Sequence, residues 1–386
     1  MVITHKIGIS SFTYCFACGS RPFVKPEHIM TPHDLIDKAV EIGAYVVQFG
    51  DNMPLEIYDD KELDQIRIHA EKCGIELEAG MRKATAERLS EYIRITHKIG
   101  GVILRIITDK DDFAPDLPDL CRILSSVIPQ LEESGVVLGI ENHDRFSANE
   151  YVQMVETVNH PQVRLTIDTV NSLSHEEYID EVLKYMAPYC VCLHMKDYVI
   201  KRYNGGGGLK ITGACLGTGR LDIRRCYDEC RMRSDRNFNI ILESWMEPCE
   251  TLEETLRAED EWARAGVAYL RKIKGSRGVL IPDAQGIMNI TSISRLTSSV
   301  PCADHSWSMC ARNVLRNWKI PKIVADTVKT VNQSSQRTQP GNKRLRKKRK
   351  RKRRKKLLRR KNLRKKRRRR KLRAKVKKQL PKALLL

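Results

Sequence analysis

Strand-like and helix-like segments alternate eight times over the first 275 residues, and that alternation leaves few folds open. Short apolar runs that read as strands begin with HKIGISS (5–11) and continue through AYVVQFG, IELEAG, GVILRII, VVLGIEN, VRLTID, CVCLHMK and FNIILES. Between them lie segments with the apolar period of amphipathic helices, among them TPHDLIDKAVEIG, DKELDQIRIHAEKCG and a single long helix over 116–134. Helix signals support these boundaries: Thr31-Pro32 with Asp34 at the capping-box offset opens the first helix, and Gly43, Gly74 and Gly100 close the first three. Eight βα units within about 270 residues select one closed parallel barrel over an open doubly wound sheet. No GxGxxG follows the first strand, which weighs against a dinucleotide fold. The expected architecture is α/β, a single (β/α)8 TIM barrel with a disordered, highly basic C-terminal extension.

The pattern stops after Lys274, so three regions are expected: the barrel over 1–275, a low-order linker over 276–342 and a basic low-complexity tail over 343–386. The net charge of +23 belongs to the tail. Of the 70 Lys and Arg residues, 29 lie from Lys343 onward, which leaves 41 against 47 acids and a body of charge −6. A mildly acidic barrel does not attract a phosphate backbone, so nucleic-acid binding is expected only through the tail, if that tail is genuine. Twelve cysteines without a signal peptide indicate a reducing, cytoplasmic setting. No run approaches the roughly 18 apolar residues of a membrane span, so no membrane partner is expected. Cys15 and Cys18 lack a second pair and read as structural, while Cys190 and Cys192 share strand parity with His194 and are expected to fill the barrel interior beneath it.

Four polar residues end four successive core runs: Glu141 after VVLGI, Asp168 after VRLTI, His194 after CVCL and Glu243 after NIIL. Charged side chains are rarely buried unless paired or metal-bound, and barrel enzymes carry their chemistry at the C-terminal strand ends. Three carboxylates and one imidazole suit Mn²⁺ or Mg²⁺, with Co²⁺ or Zn²⁺ as alternatives. Strands 6 and 7 lie between strands 5 and 8, so Glu141 and Glu243 are expected to face each other as an acid/base pair across a carbonyl substrate. His143, which shares parity with Glu141, Asn171, Lys196 and Glu78 are candidates for substrate binding. Lys196 and Asp197 read equally well as an ion pair. LGTGRLDI (216–223) places backbone amides and Arg220 before a helix start, a further place to hold a sugar oxygen or phosphate. The loop Asn204–Gly208 reads as a flexible lid or linker.

GIENHDRF, TIDTVNS, LHMKDY, LGTGRLDI and ILESW, in this order, resemble the xylose isomerase-like barrel superfamily, specifically its sugar phosphate isomerase/epimerase branch. The resemblance spans about residues 5–273 and implies a divalent metal held by Glu141, Asp168, His194 and Glu243, a small sugar substrate and homo-oligomerisation. Ketose 3-epimerases of this superfamily often carry a histidine three residues after the aspartate, where this chain has Asn171. The apurinic-site endonucleases of the superfamily use extra histidines where this chain reads LEAGM and LRIIT, so a trinuclear zinc site is not implied.

These readings predict a metal-dependent sugar or sugar phosphate isomerase/epimerase working by proton transfer next to a carbonyl, through an enediolate. A metal-dependent dehydratase of a keto-sugar or keto-cyclitol is the alternative within the same chemistry. A nucleic-acid-binding protein acting through its tail, and a barrel kept only as a scaffold, are the readings of other classes.

Overall fold

The computed structural model describes residues 5–20, 25–110, 112–203, 207–275, 279–282 and 288–291. Eight parallel strands close into one barrel: β1 (Ile7–Ser10), β2 (Val46–Phe49), β3 (Glu76–Arg82), β4 (Ile103–Ile107), β5 (Val137–Glu141), β6 (Val163–Asp168), β7 (Cys190–Met195) and β8 (Asn239–Leu242). Each strand pairs with its sequence neighbours, and β8 closes the ring on β1 with Ile7 beside Ile240 and Ile9 beside Leu242. This is the expected (β/α)8 barrel.

Parity divides every strand between two environments. Ile9, Val47, Ala79, Leu104, Ile140, Leu165, Leu193 and Leu242 belong to the large apolar core shared with the helices, while Val46, Cys192 and Ile241 form a small separate cluster packed against Ile103. The other set of strand faces carries Gln48, Glu78, Arg105, Glu141, Thr166, Asp168 and His194, all buried. Such a polar interior leaves little room. A Cβ on Gly139 would lie 2.4 Å from Thr166 Oγ1, and one on Gly8 would lie 2.7 Å from both Ile241 Cδ1 and Val46 Cβ.

The helices follow the sequence signals. Thr31 caps α1 (Pro32–Ile42) in a reciprocal box with Asp34, Asp59 does the same for α2 (Asp60–Cys73) with Glu62, and Gly43 and Gly74 end them with positive φ. The helix expected over 116–134 is two, α4 (Leu117–Ser126) and α5 (Ile128–Ser134), divided at Val127. Pro129 explains the break, because it lacks an amide proton and its ring crowds the carbonyl four residues earlier. The other outer helices are α3 (Ala86–Lys98), α6 (Ala148–Val158), α7 (Ile179–Met186), α8 (Ile223–Arg233) and α9 (Leu252–Gly275).

Two features depart from the expected pattern near the site. A register shift opposite Leu165 and Thr166 pairs them with Cys190 and Cys192 and skips Val191. Cys192 therefore faces the interior beneath His194, but Cys190 lies against Cys230 of α8, which corrects the expectation that both fill the barrel. Between β7 and α8, Asp197–Arg202 pairs antiparallel with Leu209–Ala214 as a hairpin over the mouth. Residues 204–206 of the expected glycine-rich lid lie outside the described residues, as does the basic tail 343–386. Within the region expected to be a low-order linker, Val279–Pro282 pairs antiparallel with Met288–Thr291; both runs are rich in strand formers, so local pairing follows.

Candidate metal centre

Glu141 ends β5, Asp168 ends β6, His194 is the last residue but one of β7, and Glu243 follows β8 directly. All four are buried at the C-terminal mouth of the barrel. Glu141, Asp168 and His194 each bring one ligand atom within 4.8 Å of the other two. Glu243 joins them through the imidazole: His194 Nδ1 is 3.4 Å from Glu243 Oε1 and 3.5 Å from Glu141 Oε2.

Each acid is held from outside the cluster. The Asn142 side chain accepts from the Asp168 amide at 2.7 Å and donates to the Asp168 carbonyl at 2.9 Å, locking the strand end. Asp168 Oδ1 accepts from the amides of Val170 and Asn171, both at 2.8 Å. Its Oδ2 accepts no hydrogen bond of good geometry, although Lys196 Nζ lies 2.8 Å away as an ion-pair partner. Glu141 is engaged at both oxygens, by Arg105 Nε on Oε2 and by Asn171 Nδ2 on Oε1 at 2.7 Å. Glu243 accepts from Ser10 Oγ at 3.0 Å and pairs with Lys196 Nζ at 2.9 Å. Among the described residues, both ring nitrogens of His194 lack a hydrogen-bond partner.

These orphaned atoms fit a site built to hold a cation. A fully buried imidazole with no hydrogen bond, facing two carboxylates, is costly unless its nitrogen ligates a metal. Charge points the same way. Glu141, Asp168, Glu243 and Asp51, which is 3.1 Å from Arg105 Nη1, carry four negative charges; Arg105 and Lys196 carry two positive ones. A divalent ion balances the remaining two. Three oxygen donors and one nitrogen fit Mn²⁺ or Mg²⁺ among the candidate ions. Burial alone would raise the carboxyls of Glu141 and Glu243, but the neighbouring cations outweigh it, Arg105 foremost at Glu141 and Lys196 foremost at Glu243, and hold both below the usual range. Burial likewise disfavours the charged forms of Arg105 and Lys196, and the surrounding carboxylates outweigh that too.

A cavity of about 450 Å³ opens above the cluster, lined among others by Phe12, His143, Asn171, Lys196, Glu243 and Trp245. The candidates His143, Asn171 and Lys196 thus stand on its wall. Glu78 does not: it sits lower in the barrel, buried, accepting from Asn239 Nδ2 at 2.7 Å and Gln48 Nε2 at 2.8 Å. Arg220 is exposed, and the amides beside it are already used. Gly217, Gly219 and Leu221 all donate to the buried Asp197 carboxylate, which also takes the Tyr198 amide. Asp197 is therefore the anchor of this loop and not the partner of Lys196, which turns inward to Asp168 and Glu243. Arg105, Asp51 and Ser10 complete the site without being singled out by the sequence pattern; of the three, Arg105 alone carries a signal, as a charge inside the core run ILRII.

The xylose isomerase-like TIM barrel family matches residues 36–273. A 3-oxo-isoapionate decarboxylase from Pectobacterium atrosepticum is 28% identical over 267 residues, which cover 68% of this chain and 94% of that relative. Among solved structures, a D-psicose 3-epimerase from Clostridium cellulolyticum H10, crystallised with D-tagatose, superposes with a TM-score of 0.53 at 16% identity, covering 69% of this chain and 99% of its own. A xylose isomerase-like TIM barrel protein from Mycobacterium smegmatis in complex with magnesium superposes with a TM-score of 0.51 at 15% identity, covering 70% and 100%. At such identities the structures speak for the fold, and the family match covers more than half of the chain: this protein belongs to the xylose isomerase-like TIM barrel family.

Proposed function

We propose that this protein is a divalent-metal-dependent lyase that decarboxylates a 3-oxo sugar acid through an enediolate. One observation carries this reading: only one of the two glutamates faces the cavity. Glu243 stands on the cavity wall with Lys196 beside it, whereas Glu141 is buried off the wall with both oxygens engaged by Arg105 and Asn171. An epimerase of the kind expected from the sequence needs two groups to remove a proton from one face of a carbon and return it to the other. Decarboxylation needs one proton delivery, and a cation to receive the carboxylate.

A divalent cation at Glu141, Asp168, His194 and Glu243 would polarise the substrate carbonyl and lower the cost of the enediolate. Lys196 binds the departing carboxylate. The bond between that carboxylate and the carbon next to the carbonyl breaks, its electron pair passes into the enediolate, and CO2 leaves. The Lys196–Glu243 pair then gives one proton to the same carbon and regains one from solvent. The relative from Pectobacterium atrosepticum supports this substrate class by its activity and its near-complete coverage.

Isomerisation or epimerisation is the second reading, favoured by the placement of both Glu141 and Glu243 near the His194 ring nitrogen, at 3.5 and 3.4 Å. Mass spectrometry of products from the Mn²⁺-loaded full chain separates the readings. Loss of CO2 from a 3-oxo sugar acid supports the lyase. A product of unchanged mass from a neutral ketose, without turnover of the acid, supports the epimerase, and loss of water from either supports a dehydratase.

A further inference from the structure

Outside the barrel, α1 and α2 pack side by side and each presents a pair of metal-ligating side chains four residues apart: His33 and Asp37 on α1, His69 and Cys73 on α2. That spacing puts both members of a pair on one helix face. The two pairs meet. His69 Nε2 is 2.7 Å from Asp37 Oδ1 and 4.0 Å from Cys73 Sγ, and the His33 and His69 rings lie 5.1 Å apart, centroid to centroid, at 72°. Asp37 is exposed and the other three are half-buried, so the cluster is open to solvent ions.

The geometry points to a second metal site, in which Asp37, His69 and Cys73, each with a ligand atom within 4.8 Å of the other two, bind Zn²⁺ or a similar borderline cation and staple α1 to α2. Bonds of about 2.0–2.3 Å meeting tetrahedrally place nitrogen and oxygen about 3.4 Å apart and nitrogen and sulfur about 3.5 Å apart. The present separations of 2.7 and 4.0 Å differ from those by little more than half an ångström, within the reach of side-chain rotation. Three protein ligands, one of them a thiolate, leave the fourth position to water or to His33, whose ring lies edge-on to that of His69, and sulfur selects Zn²⁺ over the Mg²⁺ or Mn²⁺ suited to the barrel mouth. Binding releases the Cys73 thiol proton to solvent. The two sites are thus distinguished by donor chemistry as well as by place.

Titration of the chelator-treated full chain with Co²⁺ tests the site, because a cobalt–thiolate bond gives a near-ultraviolet charge-transfer band and tetrahedral cobalt absorbs strongly in the visible. The expected result is both signals, with the charge-transfer band lost in Cys73→Ser and the equivalent itself lost in His69→Ala, while Mn²⁺ binding at the barrel mouth is unchanged in both. The chain has other cysteines and histidines, so the assignment rests on these variants; Asp37→Ala, which removes the exposed ligand, serves as the third if His69→Ala does not fold. Absence of the thiolate band, or its persistence in Cys73→Ser, overturns the proposal and leaves the His69–Asp37 hydrogen bond as the whole content of the cluster.

Discussion

Asn171 Nδ2 donates to Glu141 Oε1 at 2.7 Å, and this contact decides what Glu141 can do. With Arg105 on the other oxygen, each oxygen of the carboxylate accepts one hydrogen bond and keeps its second lone pair for a metal, so the group is oriented as a ligand. Asn171 stands where the sequence resemblance implies a histidine, and in its place supplies a clamp on Glu141. Asn171→Ala is expected to weaken Mn²⁺ binding by about 10- to 100-fold, the usual cost of losing an outer hydrogen bond to a ligand. Calorimetric titration of Mn²⁺ into the variant measures it.

Lys196 bridges Asp168 and Glu243 at 2.8 and 2.9 Å and also faces the cavity. If it receives the substrate carboxylate, Lys196→Met removes a charge-assisted contact worth about 1.5–3 kcal/mol, or roughly 10- to 150-fold in kcat/KM toward a 3-oxo sugar acid. Metal affinity should hold or rise, since an ammonium beside two of the ligands is gone. Steady-state kinetics together with Mn²⁺ titration check both halves.

Asp197 accepts four backbone amides and carries the loop before α8 on one carboxylate. Asp197→Ala strands those donors in a buried place and is expected to cost about 2–4 kcal/mol. The urea midpoint should fall with little change in slope.

Glu78 gives the protein a pH dependence of its own. Burial pushes its carboxyl from 4.5 up to about 7, against the pull of the Asn239 and Gln48 amides. In the unfolded chain the group ionises near 4.5, so between those values the folded protein binds more protons. Its contribution to stability is full below pH 4.5 and is lost as pH rises through about 7, a change of roughly 3 kcal/mol at most. Glu78→Gln removes this slope, and unfolding of both proteins at pH 5 and pH 8 should show wild type losing more stability over that interval than the variant.

Much of this arrangement is legible in the chain, because burial at strand ends constrains residue type strongly. The alternation of apolar runs places all eight strands, and the strand-end rule singles out Glu141, Asp168, His194 and Glu243 without reference to any contact. Height along a strand is harder to read. Glu78 has the inward parity of a site residue but is the third residue of the seven-residue β3, so it lies below the mouth. Partners across the barrel are harder still: the nearest acid to Lys196 in sequence is Asp197, yet Asp197 turns to the amides of the loop before α8 and barrel closure brings Asp168 and Glu243 to the lysine. The skipped residue at Val191 has no local signature, since nothing in CVCLHM separates a regular strand from one with a register shift.

The most direct measurement follows decarboxylation of a 3-oxo sugar acid in D2O by the Mn²⁺-loaded full chain and by its Glu243→Gln variant. One deuterium per CO2 released is expected with wild type, and a rate lower by about 10²- to 10⁴-fold in the variant, the range supplied by a positioned acid/base group. CO2 release undiminished in Glu243→Gln, or no CO2 from wild type alongside exchange of a carbon-bound hydrogen in a neutral ketose, would contradict the account.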